Sequence, residues 1–105
     1  MNETIKERIK TPEVKQDEFV ERPKRFRVIL VNDDYTPQEF VVWVLMKIFF
    51  KSRSDSARIM LKAHNEGKAY IDTYSYDIAK SKVAKVKTLA DENGHPLSCE
   101  LEEEQ

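Results

Sequence analysis

Glycine is nearly absent from this chain, and several other residues on which particular chemistries depend are just as scarce. Two glycines in 105 residues leave no loop able to cradle a phosphate with successive backbone amides. One cysteine, Cys99, excludes an intrachain disulfide and fits a reducing compartment. Basic charge shows no excess: 18 Lys and Arg stand against 19 Asp and Glu, a formal net charge of -1. That balance argues against general binding of nucleic acid, which uses a cationic face. The longest apolar run, Phe40 to Phe50, is interrupted by Lys47 and is too short to span a bilayer. The first six residues, Met1 to Lys6, carry mixed charge in place of an apolar signal core. One soluble cytoplasmic domain is expected, with no membrane or nucleic-acid partner.

What is present is organised around one stretch, Val28-Ile29-Leu30-Val31-Asn32-Asp33-Asp34-Tyr35-Thr36-Pro37-Gln38-Glu39-Phe40. A β-branched and aliphatic run ends in three short polar side chains, and a helix start follows. Thr36 suits the N-cap, Pro37 the first helical position, and Glu39 the third position of a capping box. Asn32, Asp33 and Asp34 are therefore expected on a tight strand-to-helix turn.

Before that stretch, residues 1–24 alternate acids and bases, with apolar residues at no sustained period and Pro12 and Pro23 as punctuation. A flexible extension is expected there, ahead of a folded domain at 25–105. Arg25 to Val31 reads as a strand covered on both faces over Val28 to Val31. A nearly all-apolar helix spans Pro37 to about Phe50. A second helix, capped by Ser52 with Asp55, runs to about Glu66. It turns Ala57, Met60, Leu61 and His64 inward and stops at Gly67. Lys68 to Thr73 suits a strand. Ser75 suits the cap of a third helix, which runs to about Glu92 with Ile78, Ala79, Val83, Val86, Leu89 and Ala90 inward. Asn93-Gly94 ends it. A last strand is expected over Pro96 to Leu101. The expected fold is α+β, a small α/β sandwich in which three antiparallel strands are packed with three helices, in the order β-α-α-β-α-β.

A short connection between the first two helices predicts antiparallel packing. The second helix would then return His64 to the Asn-Asp-Asp turn, near the apolar residues Val41, Met60, Ala63 and Leu97. Several chemistries remain open for such a cluster. Asn and Asp are ordinary turn residues, and His64 can be a satisfied half-buried histidine bonded to an Asp. A metal needs three or four ligands, and His64, Asp33, Asp34 and Cys99 form no recognised spacing. Acid/base catalysis lacks a nucleophile motif. An ammonium has three donors, and Asn32, an Asp carboxylate and neutral His64 are three acceptors. An ammonium beside an apolar cavity describes the N-terminus of a polypeptide.

Four segments carry a family resemblance: RVILVNDDYTPQEFVV from Arg27, MLKAHNEGK from Met60, YDIAKSKVA from Tyr76 and HPLSC from His95. Together they resemble the ClpS family of Clp-protease adaptors. The resemblance implies an adaptor that is not an enzyme and needs no cofactor or metal. It implies binding of N-degrons, substrates that begin with Leu, Phe, Tyr or Trp, and their delivery to the N-terminal domain of a ClpA-like AAA+ unfoldase. It also implies that Asn32, Asp33 and His64 hold the substrate α-amino group, and that Thr36, Gln38, Val41, Met60, Ala63 and Leu97 line the side-chain pocket. Tyr35, Glu39, Asp77 and Lys82 match the unfoldase-docking positions, with Asp77 and Lys82 expected to be exposed. The N-terminal extension matches the family's hand-over segment. The alternative is a ClpS-like module that binds peptide N-termini for a different partner. A small hydrolase is the remaining class. The sequence departs from the family pattern at Gln38, where Met is usual, and at Ala63, where Val is common. Lys80-Ser81 stand for Glu-Thr, and Tyr70-Ile71-Asp72-Thr73 lacks the usual Cys-Gly.

Overall fold

The computed structural model describes residues 22–105, so the expected extension lies almost wholly outside the described residues. The elements are β1 (Arg25–Val31), α1 (Gln38–Phe49), α2 (Arg53–Glu66), β2 (Lys68–Ser75), α3 (Tyr76–Glu92) and β3 (Ser98–Glu103). The sheet order is β2-β1-β3, antiparallel at both junctions. Fold class, element order and strand direction are those the sequence predicts.

β1 is the central strand because it carries the most hydrophobic run. Val28 and Leu30 are buried beneath the helices, where side chains of alternate residues share a face. Ile29 and Val31 on the other face are only half-buried, so the expectation of cover on both faces is corrected. Charge holds that outer face instead. Arg27 pairs with Glu102, its register partner, Arg25 with Glu104 at 3.8 Å and Lys68 with Glu100 at 3.0 Å. A register shift between Val28 and Ile29 fits one extra residue of β2, Ile71, into the pairing, and Ile71 is buried.

Helix ends differ from expectation in informative ways. Ser52 caps α2 as predicted, its Oγ accepting from the Asp55 amide at 3.1 Å. Gly67 ends that helix at φ 94°, a conformation that favours glycine. Thr36 does not cap α1. Pro37 holds the cap position without a side-chain bond, and its carbonyl accepts from the Phe40 and Val41 amides at 3.1 and 3.2 Å. The capping box with Glu39 does not form, because the cap falls on Pro37, one residue later than Thr36, which puts Glu39 out of the box register. Ser75 likewise precedes α3 without a side-chain cap bond.

The buried face of α2 is Ser56, Ile59 and Ala63, rotated by one residue from the predicted stripe. Leu61 is 47% exposed. Ala57, Met60 and His64 sit on the adjacent face. In α3, Ala79, Val86 and Ala90 are buried while Ile78 is exposed. The last strand begins at Ser98 because Pro96 has no N–H to give a ladder, and Leu97 instead turns into the core.

Candidate functional site

The turn after β1 is held from both sides. The Asn32 amide donates to the Gly67 carbonyl at 2.9 Å, which ties the turn to the end of α2 and brings His64 near it, as antiparallel packing predicts. Asp33 then organises the turn itself. Its Oδ1 accepts from the amides of Tyr35 at 2.8 Å and Thr36 at 2.7 Å, and its Oδ2 accepts from the Thr36 hydroxyl at 2.8 Å. The Thr36 side chain is thereby turned toward Asp33, while Pro37 holds the cap position. A carboxylate offers about four lone-pair directions, so three accepted bonds leave Asp33 capacity for one further donor. Desolvation pushes the Asp33 carboxyl up. The bonds from Thr36 and Tyr35 and the charge of His95 outweigh it and hold the group below the usual carboxylate range.

A cavity of about 340 Å³ opens beside this turn, within the usual size of a small-ligand site. Asn32, Asp33, His64, Thr36, Gln38, Val41, Met60, Ala63 and Leu97 all line it. Sequence reasoning missed Leu30 and Val31, which contribute to the same cavity. Strict alternation along β1 would have found Leu30, whose face points toward the helices. Val41, Ala63, Leu97 and Leu30 are buried and supply an apolar wall. Polar atoms of Asn32, Asp33 and His64 stand at the turn side, and His64 itself is exposed rather than inward-facing. Tyr35 also borders the cavity although its ring is 81% exposed.

The four positions matched to unfoldase docking do not form one cluster along the chain. Tyr35 and Glu39 flank the start of α1 and are exposed. Asp77 is exposed in the first turn of α3, which follows Ser75, the register partner of Arg25. Arg25 and the Asn32 turn are at opposite ends of β1, about 20 Å apart for a seven-residue strand. Lys82 is not exposed as expected. Its Nζ donates to the Ile48 carbonyl at 2.7 Å and sits 4.9 Å from the Phe50 ring centroid and 5.3 Å from that of Tyr74. Burial chiefly, with Lys85 adding to it, lowers the Lys82 pKa against the opposing pull of Asp72.

The other titratable groups offer little chemistry. Burial pushes the Cys99 thiol up to about 12, where a nucleophilic thiolate is disfavoured. No group of three or more His, Cys, Asp or Glu placed to hold a metal occurs among the described residues. No helix among them is long and apolar enough to cross a membrane.

A small sandwich that presents one rigid polar turn beside one apolar cavity has the build of a binding module. A family model described as ATP-dependent Clp protease adaptor protein ClpS matches residues 21–100. A ClpS adapter protein of Leptospira biflexa is 55% identical over 91 residues, covering 87% of this chain and 80% of the relative. One of Wolinella succinogenes is 50% identical over 91 residues, covering 87% and 89%. The solved structure of Agrobacterium tumefaciens ClpS2 bound to L-phenylalaninamide superposes with a TM-score of 0.77. It is 42% identical and covers 79% of this chain and all of that one. The chain belongs to the ClpS family of Clp protease adaptors, a family of adaptors rather than catalysts.

Proposed function

We propose that this chain captures polypeptides by a first residue that is Leu, Phe, Tyr or Trp, and delivers them to a ClpA-like AAA+ unfoldase in the cytoplasm. The observation that carries the reading is the convergence of the three acceptor-bearing residues and the six wall residues on one cavity. Asn32, Asp33 and His64 accept the three donors of an α-ammonium. The apolar wall takes the first side chain, and burial of that side chain supplies the favourable term. That a related structure binds L-phenylalaninamide supports the same chemistry, since this ligand joins a free α-ammonium to an apolar ring. Rigidity of the Asp33-centred turn limits the ordering cost of binding. Asp77, at the other end of β1, is free to engage the unfoldase while the pocket is filled.

The test is reconstituted degradation. A reporter that begins with Phe should be degraded by a ClpA-like unfoldase and its peptidase only when this adaptor is present. The same reporter beginning with Ser should survive. Equal degradation of both would overturn the reading.

A further inference from the structure

Beside the first-residue cavity lies a second depression. Gln38 and Met60 line both. Beyond them a groove of about 590 Å³ runs between the outer faces of α1 and α2, with Glu39, one of the positions matched to unfoldase docking, at its near end and Val42, Trp43, Met46 and Ala57 along its floor. From Gln38 to Met46 this face extends about 12 Å at 1.5 Å per residue. That is the reach of three or four residues of extended chain at about 3.3 Å each. Arg53 closes the far end. It forms no ion pair with another described residue in the structure, where its neighbours Asp55 and Arg58 pair with each other at 3.3 Å.

We infer that this groove is a second substrate subsite, which takes the residues that follow the first one and favours apolar side chains ending in an acidic residue near Arg53. The inference rests on the first-residue reading, because a chain held by its first residue passes Gln38 and Met60, which border both the cavity and the groove. Its chemistry is local. Trp43 is 43% exposed, stands 5.8 Å from Phe40, centroid to centroid, and has Lys47 Nζ 5.9 Å from its ring centroid, so an aromatic surface is held in place and remains partly open. Aromatic surface of this kind is enriched among residues that dominate peptide binding. The groove is open, so its contribution is graded rather than all-or-none. Apolar residues at positions three and four of the substrate are expected to tighten binding roughly three- to tenfold over glycine and serine there, the scale of methylene-sized discrimination.

Trp43 is the chain's only tryptophan, so its emission reports occupancy of the groove directly. The experiment compares three tryptophan-free ligands: phenylalanine amide, Phe-Ser-Gly-Ser-Gly and Phe-Ser-Leu-Leu-Glu. Binding of each is followed by competition against a labelled Phe-initiated peptide, and Trp43 emission is read at saturation. The Leu-Leu-Glu peptide should bind several-fold tighter than the Gly-Ser peptide and shift the emission, and phenylalanine amide should leave the emission unchanged. Trp43→Ala should erase the difference between the two peptides while the affinity for phenylalanine amide holds. Ala57→Glu keeps the tryptophan and should erase it as well, which guards against a variant that merely fails to fold. Equal affinities with unchanged emission would sink the subsite and leave the first-residue reading standing. An emission shift by N-acetylated Phe-Ser-Leu-Leu-Glu equal to that of the free peptide would mean that the groove binds on its own account, and would overturn it as an extension of the pocket. Failure of all three ligands to bind would overturn both readings together.

Discussion

Asp33 holds the turn with its carboxylate, and in the proposed function the same carboxylate receives the substrate ammonium. Three of its lone-pair directions hold the turn, which leaves capacity for one further donor. Asp33→Asn keeps the shape but replaces an acceptor oxygen with a donor amide and removes the charge. Chemical denaturation should show a loss of roughly 1–3 kcal/mol, with peptide binding lost as well. The pH dependence has a definite sign. The folded-state pKa of Asp33 is lowered, so its stabilising contribution is fully present above the unfolded carboxylate value, about 3.9. It is lost as pH falls through the lower folded value. Melting curves of the parent and Asp33→Asn should therefore differ by a constant amount from neutral to mildly acid pH and converge only below the ordinary carboxylate range. Two other residues are expected to tune preference. Gln38 is exposed at the cavity mouth and Ala63 is buried in its wall. A polar rim and a wider wall favour Tyr, Trp and Phe over Leu, by about 1 kcal/mol for a change of methylene scale. Gln38→Met with Ala63→Val should restore Leu, and an unchanged ranking of the four first residues would exclude both positions as determinants.

The end of α1 is the element with the most unusual local structure. Phe50 occupies the left-handed region at φ 57°, costly for a bulky residue, and its ring is 81% exposed. Lys82 holds this end together by donating to the Ile48 carbonyl at the negative pole of the helix and by lying against the Phe50 and Tyr74 rings. A cation there stabilises the helix through its dipole and the rings. Lys82→Met should lower stability by roughly 1–2 kcal/mol, and Lys82→Glu by more, since it puts a negative charge at the same pole. A thermal melt before any docking assay separates that loss from an effect on the unfoldase. The elements themselves were legible in the sequence because hydrophobic periodicity and glycine stops report them. Their faces were less so. The buried stripe of α2 passes through Ser56, a polar residue that an apolar count skips, so the predicted stripe slipped by one residue and placed His64 inward. The slip did not cost the site, because the same rotation sets Met60 and His64 along the cavity. The cap of α1 was misread because the helix starts one residue later, at Pro37, while the Thr36 side chain joins the local Asp33 turn, which the spacing rule for a capping box does not distinguish.

At the scale of the molecule, the sheet carries ion pairs on its open face and helices on the other, with the cavity at one end of β1 and Asp77 at the opposite end. A docking contact at Asp77 would therefore be separable from capture, unlike one at Tyr35, which borders the cavity. Asp77→Lys should weaken unfoldase binding in a pull-down while leaving peptide affinity unchanged, because Asp77 is exposed and is not among the cavity-lining residues. Loss of both functions would indicate one shared surface. Of the cavity residues, the turn, His64, Val41, Met60, Ala63 and Leu97 were legible in the pattern of the chain itself, and Thr36 and Gln38 through the resemblance. The groove beyond Gln38 was not, since Val42, Trp43 and Met46 look like core in an all-apolar helix. The central claim is recognition of a free N-terminus, and fluorescence polarisation of matched peptides tests it most directly. A Phe-initiated peptide should bind, and its N-acetylated twin should lose roughly 2–5 kcal/mol, because acetylation removes the charge and two donors while leaving Asn32, Asp33 and His64 desolvated. Equal binding of the two peptides would contradict the account.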